Sequence, residues 1–244
     1  MVPPQFMVTG FGKFAGVDAN PTQELVERLL RDFAVNAGSG GLKFACETLK
    51  VSARTVDLWL PAAASQVTSH SERSAVIWLH FGVDSRADCF KLETTAYNDA
   101  TFRQPDIDGW GPRGHTICEV LPHAAELSTS LPTDILTERL ASKGHRVCES
   151  GDAGRYVCNY LYFNSLRQVQ AACVSSPDRD WHALFVHMPP TSVCSMPEQY
   201  RFAQDLIHEI TAWFRARELP LIIPAPVPAS VASQLTDQPA LAPA

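Results

Sequence analysis

The 244-residue sequence has no uninterrupted apolar run near the roughly 20 residues that a membrane-spanning helix needs, so no such span is expected. Met1 to Phe6 lack both a basic segment and an apolar one, so no cleaved secretory leader is expected there. Basic residues are fewer than acidic ones, 20 against 26, and the formal charge is −6 with no basic block. Nucleic acid is therefore not expected as a partner, nor is a membrane. The seven cysteines are odd in number, form no CxxC pair and are spread along the chain, a pattern of free thiols and not of a disulfide framework. The one Asn-x-Thr triplet, Asn20-Pro21-Thr22, is disqualified as a glycosylation acceptor by its proline. These absences together point to a cytoplasmic protein.

What is present is a globular composition, 45% hydrophobic and 19% charged, on a chain long enough to bury a core without disulfide or metal staples. Proline is concentrated at one end: six of the eighteen lie between Leu219 and Ala244, with Asp237 as the lone charge. Proline at that density holds neither a helix nor an interior strand, so residues 219–244 are expected to form a flexible Pro/Ala-rich tail behind a single domain, 1–218.

Within 1–218 strand and helix signals alternate. Phe6–Thr9, Leu42–Val51, Ala75–Phe81, Arg146–Cys148 and Ala183–Val186 read as strands, and the nearly continuous apolar run at Ala75–Phe81 predicts burial on both faces. Asn20-Pro21 supplies an N-cap and an N1 proline ahead of Leu25, Val26, Leu29 and Leu30 at helical spacing. Further helices are predicted over Pro132–Ala141, through Tyr160 to Leu166, and from Pro197 through Phe202, Leu206 and Ile210. Gln104–Leu131 shows little periodicity and several Gly and Pro, and reads as a long loop. This alternation predicts an α/β fold, a three-layer α/β/α single domain around a central mixed, mostly parallel sheet.

Three positions stand out chemically. Cys158 lies where a Gly-containing loop enters a helix, and a helix N-terminus stabilises a thiolate. His187 ends a buried strand just before Pro189-Pro190, where α/β enzymes place catalytic groups. Gly10 to Gly16 follows a strand, but its spacing is GxGxxxG and the helix begins only at Asn20, which argues against dinucleotide binding. That loop instead carries two aromatic rings, Phe11 and Phe14. Taken singly, each feature has an ordinary structural explanation: a buried thiol, a capping histidine, rings folded onto the core.

Four blocks change that reading: VTGFGKFAGVDANPT from Val8; LHFGV from Leu79 with KLETTAYNDATFRQPD from Lys91; SGDAGRYVCNYLYFNSL from Ser150; and FVHMPP from Phe185. In content and order they resemble the pyroglutamyl peptidase I family (pyrrolidone-carboxylate peptidases), over about Phe6 to Glu218. Val76–His80 and Phe102–Asp106 look most like plant-type members. The resemblance implies a cysteine peptidase that removes an N-terminal pyroglutamyl residue, with Cys158 as nucleophile, His187 as base and Glu93 as the acid orienting it. It further implies that Arg103 supports the thiolate and oxyanion. Phe11 and Phe14 would hold the pyrrolidone ring, Asn20 and the Val83 backbone would contact the lactam, and Tyr156 and Val157 would wall the pocket. No cofactor and no metal are implied, and the partners are small peptides bearing N-terminal pyroglutamate, with a homo-oligomer allowed. Lys13 and Ala15 stand where bacterial members usually have Pro and Gly, and Met188 replaces a common Val, which bears on pocket shape. The alternatives are a cysteine hydrolase of another small N-acyl or lactam substrate, and a catalytically silent pyroglutamyl-binding protein on the same scaffold.

Overall fold

The structure is a computed structural model that describes residues 4–14, 16–17, 19–36, 43–67, 75–175 and 179–217. The proline-rich segment 219–244 lies outside the described residues. In chain order the elements are β1 (Gln5–Phe11), α1 (Pro21–Asn36), β2 (Lys43–Leu49), α2 (Ala53–Ser65), β3 (Val76–Val83), β4 (Phe90–Glu93) and β5 (Thr95–Tyr97). They are followed by β6 (Glu126–Ser128), α3 (Thr133–Ser142), β7 (Val147–Ser150), α4 (Val157–Ser175), β8 (Trp181–Met188) and α5 (Met196–Arg217).

Six strands form one sheet in the order β2-β1-β3-β8-β4-β7. Neighbours are parallel throughout except at β4–β8, which is antiparallel, so the sheet is mixed and mostly parallel as the strand-helix alternation predicts. Alternation along each strand sorts the side chains into two cores, because successive residues point to opposite faces. Met7, Val76, Trp78, Ala183 and Phe185 pack with Val56 and Leu60 of α2 and Leu161 and Leu166 of α4. Phe6, Val8, Ile77, Leu79, Leu184 and Val186 pack on the other face with Leu29 of α1, Leu136 of α3 and Phe202 of α5. That is the three-layer arrangement, with α2 and α4 on one face and α1, α3 and α5 on the other.

Helix α2 and strands β4, β5 and β6 depart from the sequence pattern. Helix α2 falls where no element is expected, because Pro61 interrupts it in sequence. Its start is nonetheless well defined: the Ser52 hydroxyl accepts from Thr55 N at 3.2 Å, while Asp106 Oδ2 accepts from Ala53 N at 3.0 Å. The stretch expected to be an unbroken loop, Gln104–Leu131, contains β6, which pairs antiparallel with β5 outside the main sheet. Three residues are too few to show a period, so such a strand is carried by its partner and not by its own sequence.

Candidate active site

The strand alternation that builds the α2/α4 core also decides what faces α4. On β8, His187 follows Ala183 and Phe185 on that face. On β4, Glu93 lies opposite its neighbour Leu92, which belongs to the other core. Register then brings the groups together across three strands: His187 is paired with Gly82 of β3 and with Lys91 of β4, and Glu93 with Phe185.

His187 Nδ1 is 2.7 Å from Glu93 Oε1, and Glu93 is fully buried. The other carboxylate oxygen, Oε2, is buried with no hydrogen-bond partner among the described residues. On its far side the imidazole hydrogen-bonds to Cys158. Burial by itself drives His187 toward its neutral form, but the hydrogen bonds to Cys158 and Glu93 and their negative charge outweigh it and raise the imidazole to about 10. An imidazolium is thus the resting form at neutral pH. Next to it, Lys91 Nζ lies 2.9 Å from Asp84 Oδ2. Burial would raise the Asp84 carboxyl, but the bond to Lys91, the Arg86 backbone N–H and the positive His187 together hold it below the usual range.

Cys158 is the second residue of α4 and half-buried. The chain reaches it through Gly154, whose φ of +76° is left-handed and costs little only for glycine. Asp152 Oδ1 accepts from Gly154 N at 3.0 Å and fixes the same turn. Gly82 makes room for the thiol from the sheet side: a Cβ there would sit 3.1 Å from Cys158 Sγ and 2.7 Å from the Phe185 ring. The glycine of the LHFGV block is therefore part of the site, although the sequence pattern singled out only its neighbour Val83. Asn159 ties the helix start down, its amide exchanging bonds with Tyr97 N and O at 2.8 and 2.9 Å and with Asp99 O at 3.0 Å.

The remaining residues named from the sequence are placed as follows. Val83 ends β3, half-buried and paired with Met188. Val157 is fully buried at the first position of α4, and Tyr156 before it donates from Oη to Pro105 O at 3.2 Å and packs edge-on against Phe102. Phe11 is not on a turn: it is the last residue of β1, 2% exposed and packed in the α2/α4 core, because the strand runs further than its sequence signal. Phe14 is on the turn, partly buried against the same core and bridged to Val17. Asn20 is buried and both ends of its amide are engaged, Nδ2 donating to Gly12 O at 3.1 Å and Oδ1 accepting from Thr22 N at 3.1 Å. It shapes the loop carrying Phe14. Arg103 is exposed, and its guanidinium has no hydrogen-bond or ion-pair partner among the described residues; the structure joins it to neither Cys158 nor His187. Among the described residues no cluster of three His, Cys, Asp or Glu could hold a metal ion.

A family model described as pyroglutamyl peptidase matches residues 4–200. The pyrrolidone-carboxylate peptidase of Thermococcus litoralis is 28% identical over 160 residues, 66% of this chain and 67% of that protein. The pyrrolidone-carboxylate peptidase of Vibrio vulnificus is 28% identical over 204 residues, 83% of this chain and 87% of its own. The pyrrolidone carboxyl peptidase structure from Fervidobacterium islandicum superimposes with a TM-score of 0.71 at 23% identity, covering 86% of this chain and 99% of that one.

Proposed function

The chain belongs to the pyroglutamyl peptidase family, and on that premise we propose that it hydrolyses the bond after an N-terminal pyroglutamyl residue, with Cys158, His187 and Glu93 as its catalytic groups. The observation that carries this is the relay at the start of α4: a buried carboxylate 2.7 Å from a histidine whose other side hydrogen-bonds to the thiol. Triads of this kind are recognised by geometry and role, not by position in the chain.

With His187 beside it as proton acceptor, Cys158 Sγ attacks the pyroglutamyl carbonyl carbon, the thiol proton residing on the imidazole. The carbonyl oxygen takes the displaced electron pair and is met by free backbone N–H groups of the first turn of α4, the end of a helix that favours negative charge. Arg103, whose guanidinium is unpaired, is the cation available to the same oxygen. As the tetrahedral adduct collapses, His187 gives its proton to the leaving amine and the peptide departs. His187 then takes a proton from water, which attacks the thioester and releases pyroglutamate and the thiolate. Glu93 holds the imidazole in one tautomer and orientation throughout. Phe11, Phe14, Asn20, Val83, Tyr156 and Val157 form the pocket for the lactam, in which Phe14 supplies a ring face and Asn20 acts through the loop it fixes.

The same reading extends to the parts around the site. Residues 1–218 form the catalytic domain, followed in the sequence by the proline-rich segment 219–244. Substrates are small peptides, self-association into a homo-oligomer is in keeping with the family, and the location is cytoplasmic. No helix among the described residues is long and apolar enough to cross a membrane, which is compatible with that location. Val76–His80 and Phe102–Asp106 are the segments in favour of a plant-type branch.

The test is hydrolysis of a pyroglutamyl fluorogenic amide by the purified protein, beside the glutaminyl amide. A lactam is neutral and compact, whereas an open glutamine brings an ammonium whose burial without a partner costs several kcal/mol. Turnover of the first at least a hundredfold faster than the second is expected. Equal rates, or none on the pyroglutamyl amide, would reject the proposal.

A further inference from the structure

The triad's acid has one weakness. Only Oε1 of Glu93 is bonded, to the histidine it must orient, and Oε2 has no partner among the described residues. The side chain therefore cannot fix itself, and its aim depends on where the main chain of β4 is held. Glu93 is also the last residue of that strand, where a ladder frays.

One side chain holds the strand end. Tyr162 is fully buried, and its Oη donates to the Glu93 carbonyl oxygen at 2.7 Å. The Tyr162 ring packs against that of Phe185, the cross-strand partner of Glu93, at a centroid distance of 5.9 Å. The side chain thus touches both β4, which carries the acid, and β8, which carries the histidine. Helix geometry supplies the third link. Tyr162 lies four residues after Cys158 on α4, so both project from one face of the helix. One helical turn presents the thiol to His187 and, one turn on, the pin that holds Glu93 behind it.

We propose that Tyr162 is a positioning residue for the triad, its hydroxyl setting the depth at which Glu93 meets His187 by holding the Glu93 carbonyl. This rests on the peptidase reading of the site. The residue acts through Glu93 and touches no reacting atom.

The experiment is Tyr162→Phe, which keeps the ring and removes the hydrogen bond to the Glu93 carbonyl. Ser165→Ala is the control: its hydroxyl is a buried partner of His80 at 2.9 Å on the same helix, away from the triad. For Tyr162→Phe, kcat on the pyroglutamyl amide should fall on the order of tenfold while KM stays within about twofold, as for a group acting only in the chemical step. The alkaline limb of kcat/KM should move to lower pH, because a displaced carboxylate supports the imidazolium less. The other charged groups around His187, namely Cys158, Lys91 and Asp84, are unchanged in the variant and cannot produce that shift. Alkylation of Cys158 by iodoacetamide at neutral pH should slow in parallel. Ser165→Ala should lower Tm without moving the limb or the alkylation rate.

If Tyr162→Phe does not fold, 3,5-difluorotyrosine incorporated at position 162, which keeps the ring and alters only the hydroxyl that donates to the Glu93 carbonyl, should still move the limb and the alkylation rate. A lowered Tm with an unmoved pH profile and alkylation rate would overturn the proposal and leave Tyr162 a packing residue. If the wild-type protein does not cleave the pyroglutamyl amide, the functional reading fails, and the alkylation comparison still decides the role of Tyr162.

Discussion

Gly82→Ala should damage the site from beneath. The added methyl carbon would stand 2.7 Å from Phe185 Cζ and 3.1 Å from Cys158 Sγ. Carbon atoms settle at roughly 3.5–4.0 Å, so the ring contact is short by about 1 Å. Phe185 cannot easily yield, since it is fully buried and its ring lies against His80, Tyr162 and His187 at centroid distances of 6.2, 5.9 and 4.9 Å. Overpacking of this kind costs about 1–3 kcal/mol. For a chain of this length that corresponds to a drop in Tm of about 2–12 °C. The thiol is the softer neighbour and moves first, and a displacement of about 1 Å at a reacting atom can cost on the order of a hundredfold in rate. Differential scanning fluorimetry and kcat/KM on the pyroglutamyl amide read the two effects separately. A Gly82→Ala protein with wild-type Tm and wild-type kcat/KM would refute the close approach of β3 to the thiol.

Cys158→Ala should abolish turnover while Cys118→Ala and Cys194→Ala retain it; activity lost to an alkylating agent that leaves Cys158 unlabelled, as mapped by mass spectrometry, would exclude Cys158 as the nucleophile. Glu93→Gln removes a buried negative charge worth about 4 kcal/mol at 4 Å and an effective dielectric near 20, so the alkaline limb of kcat/KM should fall by about two to three pH units. The raised imidazole also stabilises the wild-type fold fully below its ordinary value of 6.5, and that contribution is lost as pH rises through about 10. Wild-type Tm should therefore decline over that interval, and Glu93→Gln should flatten the decline, as scanning fluorimetry across pH would show. Removal of everything after Pro224 should leave kcat/KM and Tm nearly unchanged, because a Pro/Ala segment buries little apolar surface; a large fall in Tm would show that it docks on the body.

How much of this could be read from the sequence differs between parts. Strands β3 and β8 are legible because burial on both faces leaves nearly continuous apolar runs. Helix α2 is hidden by Pro61, and β5 and β6 are too short to carry a period. At the site, Cys158 announces itself by its place at a helix start and His187 by its place at a strand end. Glu93 does not, since alone it is one carboxylate among many; only the resemblance in the flanking blocks singles it out. What brings it to His187 is the antiparallel register of β4 on β8, which no local pattern encodes. Asn20 shows the converse. Its identity beside Pro21 is legible as a helix cap, yet its bond to the Gly12 carbonyl depends on a loop whose path the sequence does not reveal. Gly82 and Tyr162 carry no local signal at all, because their significance lies entirely in what approaches them.

The order of strands in the main sheet has a consequence for how the protein is born. Among the described residues β8 is the last strand in chain order, and it takes the central place between β3 and β4. Without β8 the remaining pairings are β2-β1-β3 and β4-β7, two half-sheets each with an open edge, and His187 is not there to stand beside the thiol. Cys158 can thus be synthesised and folded into α4 without becoming an armed nucleophile. Insertion of β8 closes both edges and switches the thiol on in one event.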